Sequence, residues 1–169
     1  RAGIVERDGS GEIEAPEPGG VVVKPTVVIL AAGLGTRMKS GLAKALHPLA
    51  GRPLVRHVLG TAAGLGPEKI ILVLGHQADK VRKAAEEHRA EIVLQYEQLG
   101  TGHAVRQAGE AIAGASGPVI ILCADTPLLT TGTLERLVEL HNRSRAAVTL
   151  MTAEAGGNVA LTEPGRVVE

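Results

Sequence analysis

The sequence predicts an α/β fold: a three-layer α/β/α, Rossmann-like domain built on a mostly parallel sheet. Two observations predict it. From Thr26 onward, short apolar runs alternate with segments of helical periodicity, and alternating β and α units fold as a parallel sheet with right-handed crossovers and helices on both faces. The first apolar run, Val27-Val28-Ile29-Leu30, opens into Ala31-Ala32-Gly33-Leu34-Gly35, which reads as a buried strand feeding a glycine loop.

The expected strands cover residues 26–31, 69–74, 91–94, 118–123 and 147–152, each a compact apolar run. The expected helices cover 53–64, 79–88, 102–113 and 133–143. Val55, Val58, Leu59 and Ala62 give the first helix an apolar stripe, and Leu134, Leu137, Val138 and His141 give the last one its own. Lys80, Arg82, Lys83, Glu86 and Glu87 form a solvated face on the second. Residues 1–25, rich in Gly, Glu and Pro, read as a flexible tail or linker. Residues 26–169 then form the domain. A chain that begins with Arg and stops at Glu169 reads as a piece of a longer one, incomplete at its C-terminus.

Composition excludes several function classes. Eighteen basic and eighteen acidic residues cancel, so no strong field favours nucleic acid or an anionic membrane. Tyr96 is the sole aromatic residue, which removes base-stacking platforms and requires an aliphatic core. Cys123 is the sole cysteine, so there is no internal disulfide, and a reducing cytoplasm is the expected location. No run approaches the roughly twenty apolar residues of a membrane helix. His47, His57, His76, His88 and His141 show no metal-ligand spacing.

Chemistry is expected at the carboxyl ends of the strands. The first loop carries Gly33 and Gly35, which let the backbone turn and approach a ligand, followed by the cations Arg37 and Lys44. Such a loop suits a polyanion, and triphosphate is the commonest one. It is not a Walker A loop, because Met38 precedes Lys39-Ser40 where glycine is needed, and Met38 also breaks a dinucleotide G-x-G-x-x-G. Beyond the third strand, Gln95 offers a donor and an acceptor for a pyrimidine edge. Gly100-Thr101-Gly102 then opens a helix, either as a source of free N–H groups or simply as a Thr101 cap. His103 sits in that first turn, close to the site. Past the fourth strand comes Cys123-Ala124-Asp125-Thr126-Pro127. Asp125 is either a ligand for Mg²⁺, which favours one or two carboxylates plus phosphate oxygens, or a cap for the following helix. Cys123 reads as a small buried hydrophobe. No nucleophilic triad or dyad is evident.

Several motifs together resemble the uridylyltransferase (pyrophosphorylase) domain of the bifunctional N-acetylglucosamine-1-phosphate uridylyltransferase/glucosamine-1-phosphate acetyltransferase family. Residues 30–38, Leu-Ala-Ala-Gly-Leu-Gly-Thr-Arg-Met, are similar to the signature loop of sugar-nucleotide transferases in general. Residues 97–104, Glu-Gln-Leu-Gly-Thr-Gly-His-Ala, are similar to that one family, as are Lys44-Ala45-Leu46-His47 and Leu49-Ala50-Gly51-Arg52-Pro53. The resemblance implies the nucleotide-diphospho-sugar transferase type of fold. It implies that Leu30, Ala31, Ala32 and Gly33 line the uridine, that Gln95, Gly100 and Thr101 read uracil, and that Arg37 and Lys44 hold the triphosphate. It implies further that Cys123 and Ala124 touch the nucleotide and that Asp125 binds Mg²⁺. The implied reaction joins UTP and N-acetylglucosamine-1-phosphate into UDP-N-acetylglucosamine, a peptidoglycan precursor, with release of pyrophosphate.

Departures accompany the likeness. Ala43 stands where the family has proline, and Cys123-Ala124 replaces Tyr-Gly. The expected Tyr-Gly-Arg is met only by Pro164-Gly165-Arg166, which makes Gly165 a weak sugar contact. The family's second metal ligand and its trimer-building hexapeptide repeats find no counterpart here, so a monomer is expected. Two other readings stand beside this one: a transferase for a different sugar phosphate or the molybdenum cofactor, and a nucleotide-binding module without turnover.

Overall fold

The computed structural model describes residues 2–3, 23–35 and 38–153. In chain order the elements are β1 (Ala2–Gly3), β2 (Thr26–Ala31), a 3₁₀ turn (Lys44–Leu46), β3 (Pro48–Leu49), β4 (Arg52–Pro53), α1 (Leu54–Gly64), β5 (Lys69–Leu74), α2 (Ala78–Ala84), β6 (Ala90–Leu94), α3 (Thr101–Gln107), α4 (Gly109–Ile112), β7 (Val119–Cys123), α5 (Thr131–Ser144) and β8 (Thr152–Ala153). They fall into two compact units, Gly19–Glu135 and a second that joins the N-terminal residues to the chain from Arg136 onward.

The larger unit is built on a four-stranded sheet in the order β6-β5-β2-β7, parallel throughout. Its central strand β2 pairs Ile29 with Leu72 on one side and Leu122 on the other. Successive side chains alternate between the two faces of the pleat. On one face Val28, Ile71 and Val73 pack with Ala104, Ala108 and Ala111 of the α3–α4 region. On the other, Val27, Ile29, Leu72 and Leu74 are fully buried, and α1 and α2 lie against β2 and β5. The result is the three-layer arrangement expected from the alternation. The largest fully buried side chains are aliphatic, as a chain with one aromatic residue requires.

Expected and observed elements differ in instructive places. The helix expected over 102–113 is interrupted at Ala108, just ahead of Gly109, a poor helix former. The helix expected over 79–88 ends at Ala84, where the Ala85 N–H is shared among several carbonyls in a tightened last turn. Pro53 does not begin α1 but closes a hairpin of β3 and β4, whose two turn residues Ala50 and Gly51 both have positive φ, as a type I′ turn demands. The strand expected over 147–152 is a correction. Residues 146–151 are irregular, with Val148 and Leu150 exposed, and only Thr152 begins the short strand β8. In the second unit β8 pairs antiparallel with β1, and His141 Nδ1 lies 2.9 Å from the Thr149 hydroxyl. Among the described residues no helix is long and apolar enough to cross a membrane.

Gly75 fixes how closely the end of β5 approaches the first loop. A Cβ there would fall 2.9 Å from the Ala32 carbonyl oxygen and 3.0 Å from both Ala32 Cβ and Gln98 Nε2. Gly75→Ala is expected to destabilise the fold by about 1–3 kcal/mol, the usual cost of overpacking. Gly60→Ala, on an exposed turn of α1 with open space around its Cβ, is expected to stabilise by about 0.5–1 kcal/mol. Denaturant melts of the two variants, moving in opposite directions, check both values.

Candidate active site

The sheet order reverses beside β2, because the chain walks outward through β5 and β6 and then returns to place β7 on the other side. Ligands in such sheets sit outside the carboxyl ends of the strands at this reversal. A cavity of about 360 Å³ lies there, lined by Leu30–Gly35, Lys44, Ala45, Gln95, Gln98, Gly100, Thr101, Ala104 and Cys123–Asp125.

Backbone pairing delivers these residues. One further ladder bond past each strand, from Ala124 N–H to the Leu30 carbonyl (3.0 Å) and from Gln95 N–H to the Leu74 carbonyl (2.7 Å), carries the register into the loops. Gly35 has φ +65, and a Cβ on it would lie 3.0 Å from Lys44 Cβ. The turn and the approach of Lys44 therefore both depend on glycine. At Gly33 a Cβ would meet nothing within 4 Å, so that position faces open space.

Lys44 and Asp125, on different loops, form an ion pair at the cavity, with the two side chains 44% and 30% exposed. Asp125 does not cap the following helix; the Thr130 hydroxyl takes that place, accepting from Thr133 N–H at 3.2 Å. Nor does Thr101 cap its helix, since α3 has no side-chain cap at all. Cys123 is half-buried. Burial, with the Asp125 carboxylate adding to it, pushes its thiol above the ordinary range against the opposing pull of Lys44, which suits a packed thiol rather than a nucleophile. Ala124 fits where the resembling family has glycine, 3% exposed.

Of the residues singled out from sequence, Leu30, Ala31, Ala32, Gly33, Gly35, Lys44, Gln95, Gly100, Thr101, Cys123, Ala124 and Asp125 all line this one cavity. Arg37 and Gly165 lie outside the described residues. Sequence reasoning passed over Gln98, although it lies inside the quoted 97–104 motif, and it also passed over Gln77. Gln77 Nε2 donates to the Gly41 carbonyl at 2.6 Å, and its Oε1 accepts from Ala43 N–H at 3.3 Å. The residue itself is left-handed, φ +54. Ala43 has φ −55 and ψ 139, angles open to proline. Proline, though, has no N–H to give. In this chain a side-chain clamp holds the segment leading to Lys44 where the resembling family has a ring.

Residues 27–167 match the MobA-like NTP transferase domain. The chain belongs to this family. It is 50% identical over 142 residues to the bifunctional protein GlmU of Desulfotalea psychrophila, covering 84% of this chain and 41% of the relative. Against GlmU of Pelobacter propionicus the identity is 52% over 147 residues, covering 83% of this chain and 32% of the relative. The chain thus spans less than half the length of these relatives. Among solved structures, Rv0371c of Mycobacterium tuberculosis superposes with a TM-score of 0.62 at 24% identity, covering 73% of this chain and 62% of that one. The nucleotidyl transferase Mth528 gives 0.57 at 23%, covering 69% and 57%. Both share the nucleotidyltransferase fold.

The Gln77 clamp makes a prediction. Gln77→Ala is expected to cost about 1 kcal/mol and to speed tryptic cleavage after Lys39 severalfold, read by mass spectrometry of timed digests. Unchanged cleavage would remove Gln77 from the role.

Proposed function

We propose that this domain transfers UMP from UTP to N-acetylglucosamine-1-phosphate, releasing pyrophosphate. The observation that carries the proposal is the meeting of Lys44, Asp125 and Gln95 in one cavity at the sheet's reversal point. The relatives named above and the 97–104 motif supply the choice of nucleotide and sugar.

The sugar phosphate oxygen attacks the α-phosphorus, and the bond from that phosphorus to the leaving pyrophosphate breaks in line. Such a step asks for positioning and charge neutralisation more than for acid–base work. Lys44, at the cavity, would bring its ammonium to the α-phosphate. Gly33 leaves room for the nucleotide against the backbone. Gln95, which also lines the cavity, would meet the base.

Among the described residues no three His, Cys, Asp or Glu side chains converge. The lone carboxylate of Asp125 therefore fits a cation that takes most of its ligands from phosphate and water, as Mg²⁺ does. Bound there, Mg²⁺ would neutralise charge on the triphosphate. A triphosphate arriving with its cation offers Lys44 and Asp125 new partners of the right sign, so their mutual ion pair holds both poised.

Two substitutions test the roles. Asp125→Ala is expected to abolish the Mg²⁺-dependent part of UTP binding in calorimetry while circular dichroism stays unchanged; intact binding would refute the metal role. Lys44→Ala is expected to lower pyrophosphate release about a hundredfold or more, as loss of a transition-state charge contact does, with little change in UTP affinity. Loss of affinity alone would make Lys44 a ground-state clamp. CTP, ATP and GTP serve as competitors, and UTP binding without pyrophosphate release would mark a nucleotide-binding module.

A further inference from the structure

Gln95 is 4% exposed, one of two buried polar side chains among the described residues. Its amide nitrogen carries two protons, and both are taken. Nε2 donates to the Gly100 carbonyl at 3.3 Å and reaches His103 Nδ1 at 2.9 Å. A carbonyl oxygen only accepts, so Gly100 decides which end of the amide is nitrogen. His103 Nδ1 must then offer a lone pair, which puts its proton on Nε2. That second ring nitrogen lies 2.9 Å from the amide of Gln107, which is exposed and free to turn its oxygen inward as acceptor. Gln95 Oε1 accepts no hydrogen bond among the described residues, and Gln95 lines the cavity. The amide that sequence alone reads as both donor and acceptor is reduced to an acceptor.

We propose that His103 is a positioning residue that sets base choice: it pins the Gln95 amide so that only the oxygen is left for the ligand. An acceptor there suits a pyrimidine with N3–H, as in uracil, and repels one whose N3 is a bare lone pair, as in cytosine. Without His103 only the longer 3.3 Å contact to the Gly100 carbonyl opposes turning of the amide, and the turned amide presents N–H, which suits cytosine N3. The inference rests on the preceding reading that Gln95 meets a pyrimidine base in this cavity.

The test is calorimetry of UTP and CTP with Mg²⁺ on the wild type, on His103→Phe, which has no acceptor, and on His103→Asn, whose side-chain oxygen replaces Nδ1. The wild type is expected to prefer UTP. His103→Phe should shrink that preference about tenfold, the usual scale for a buried hydrogen bond turned against its partner, and His103→Asn should keep it. A preference unchanged in His103→Phe, or both affinities falling equally, overturns the proposal and leaves UTP binding standing. A wild type that binds neither nucleotide overturns the underlying reading and the proposal together. Nitrogen NMR of wild-type His103 decides independently of how the variants fold: an unprotonated Nδ1 is expected, and a protonated Nδ1 excludes the relay.

Discussion

The central position of β2 is the constraint on which the cavity depends. Because β2 pairs in parallel with β5 on one side and β7 on the other, the strand ends on both sides point the same way. The loops after β2, β6 and β7 then open at one edge of the sheet. Parallel pairing needs long crossovers, and these place α1 and α2 on one face and the α3–α4 pair on the other. Leu30–Gly33, Gln95 and Asp125 lie at or just past the ends of β2, β6 and β7, while Lys44 is brought in by the long loop after β2.

Within that frame the charges organise themselves sparingly. Among the described residues, one cation and one carboxylate meet at the cavity, Lys44 and Asp125, from loops more than seventy residues apart in sequence. Each is partly exposed, so neither suffers the penalty of a buried lone charge. Neutral side-chain amides act beside this pair. Gln77 ties the approach to Lys44, and Gln95 is tied to Gly100 and His103. Neutral clamps fix geometry without adding a field that would compete with a triphosphate.

Strand ends were legible in the sequence because an apolar run stops where polar or glycine residues begin. The residues just past those stops, Gly33, Gln95 and Asp125, were therefore legible as cavity residues too. Positioning residues were not. Gln77 lies 34 positions from its partner Ala43, and nothing local marks it; its left-handed backbone is unusual for glutamine, and propensity gives no warning of it. Helix interiors were read as longer than they are, since the apolar spacing through 102–113 continues across Ala108 although the backbone breaks there. Residues 147–152 are apolar enough to read as a strand, yet their backbone takes up pairing only at Thr152.

The replacement of proline by Ala43 shows how one backbone conformation can be held in two ways. A pyrrolidine ring fixes φ near −65° by covalent geometry and removes the N–H. Ala43 holds φ at −55° with its N–H intact, and Gln77 both receives that N–H and donates to Gly41 two residues earlier. The ring limits a single torsion. The amide instead joins the loop to the start of α2, so the position of Lys44 is coupled to the packing of α2 against β5. A substitution on that helix would therefore reach Lys44 without touching it, whereas the same change beneath a proline loop would be felt only locally.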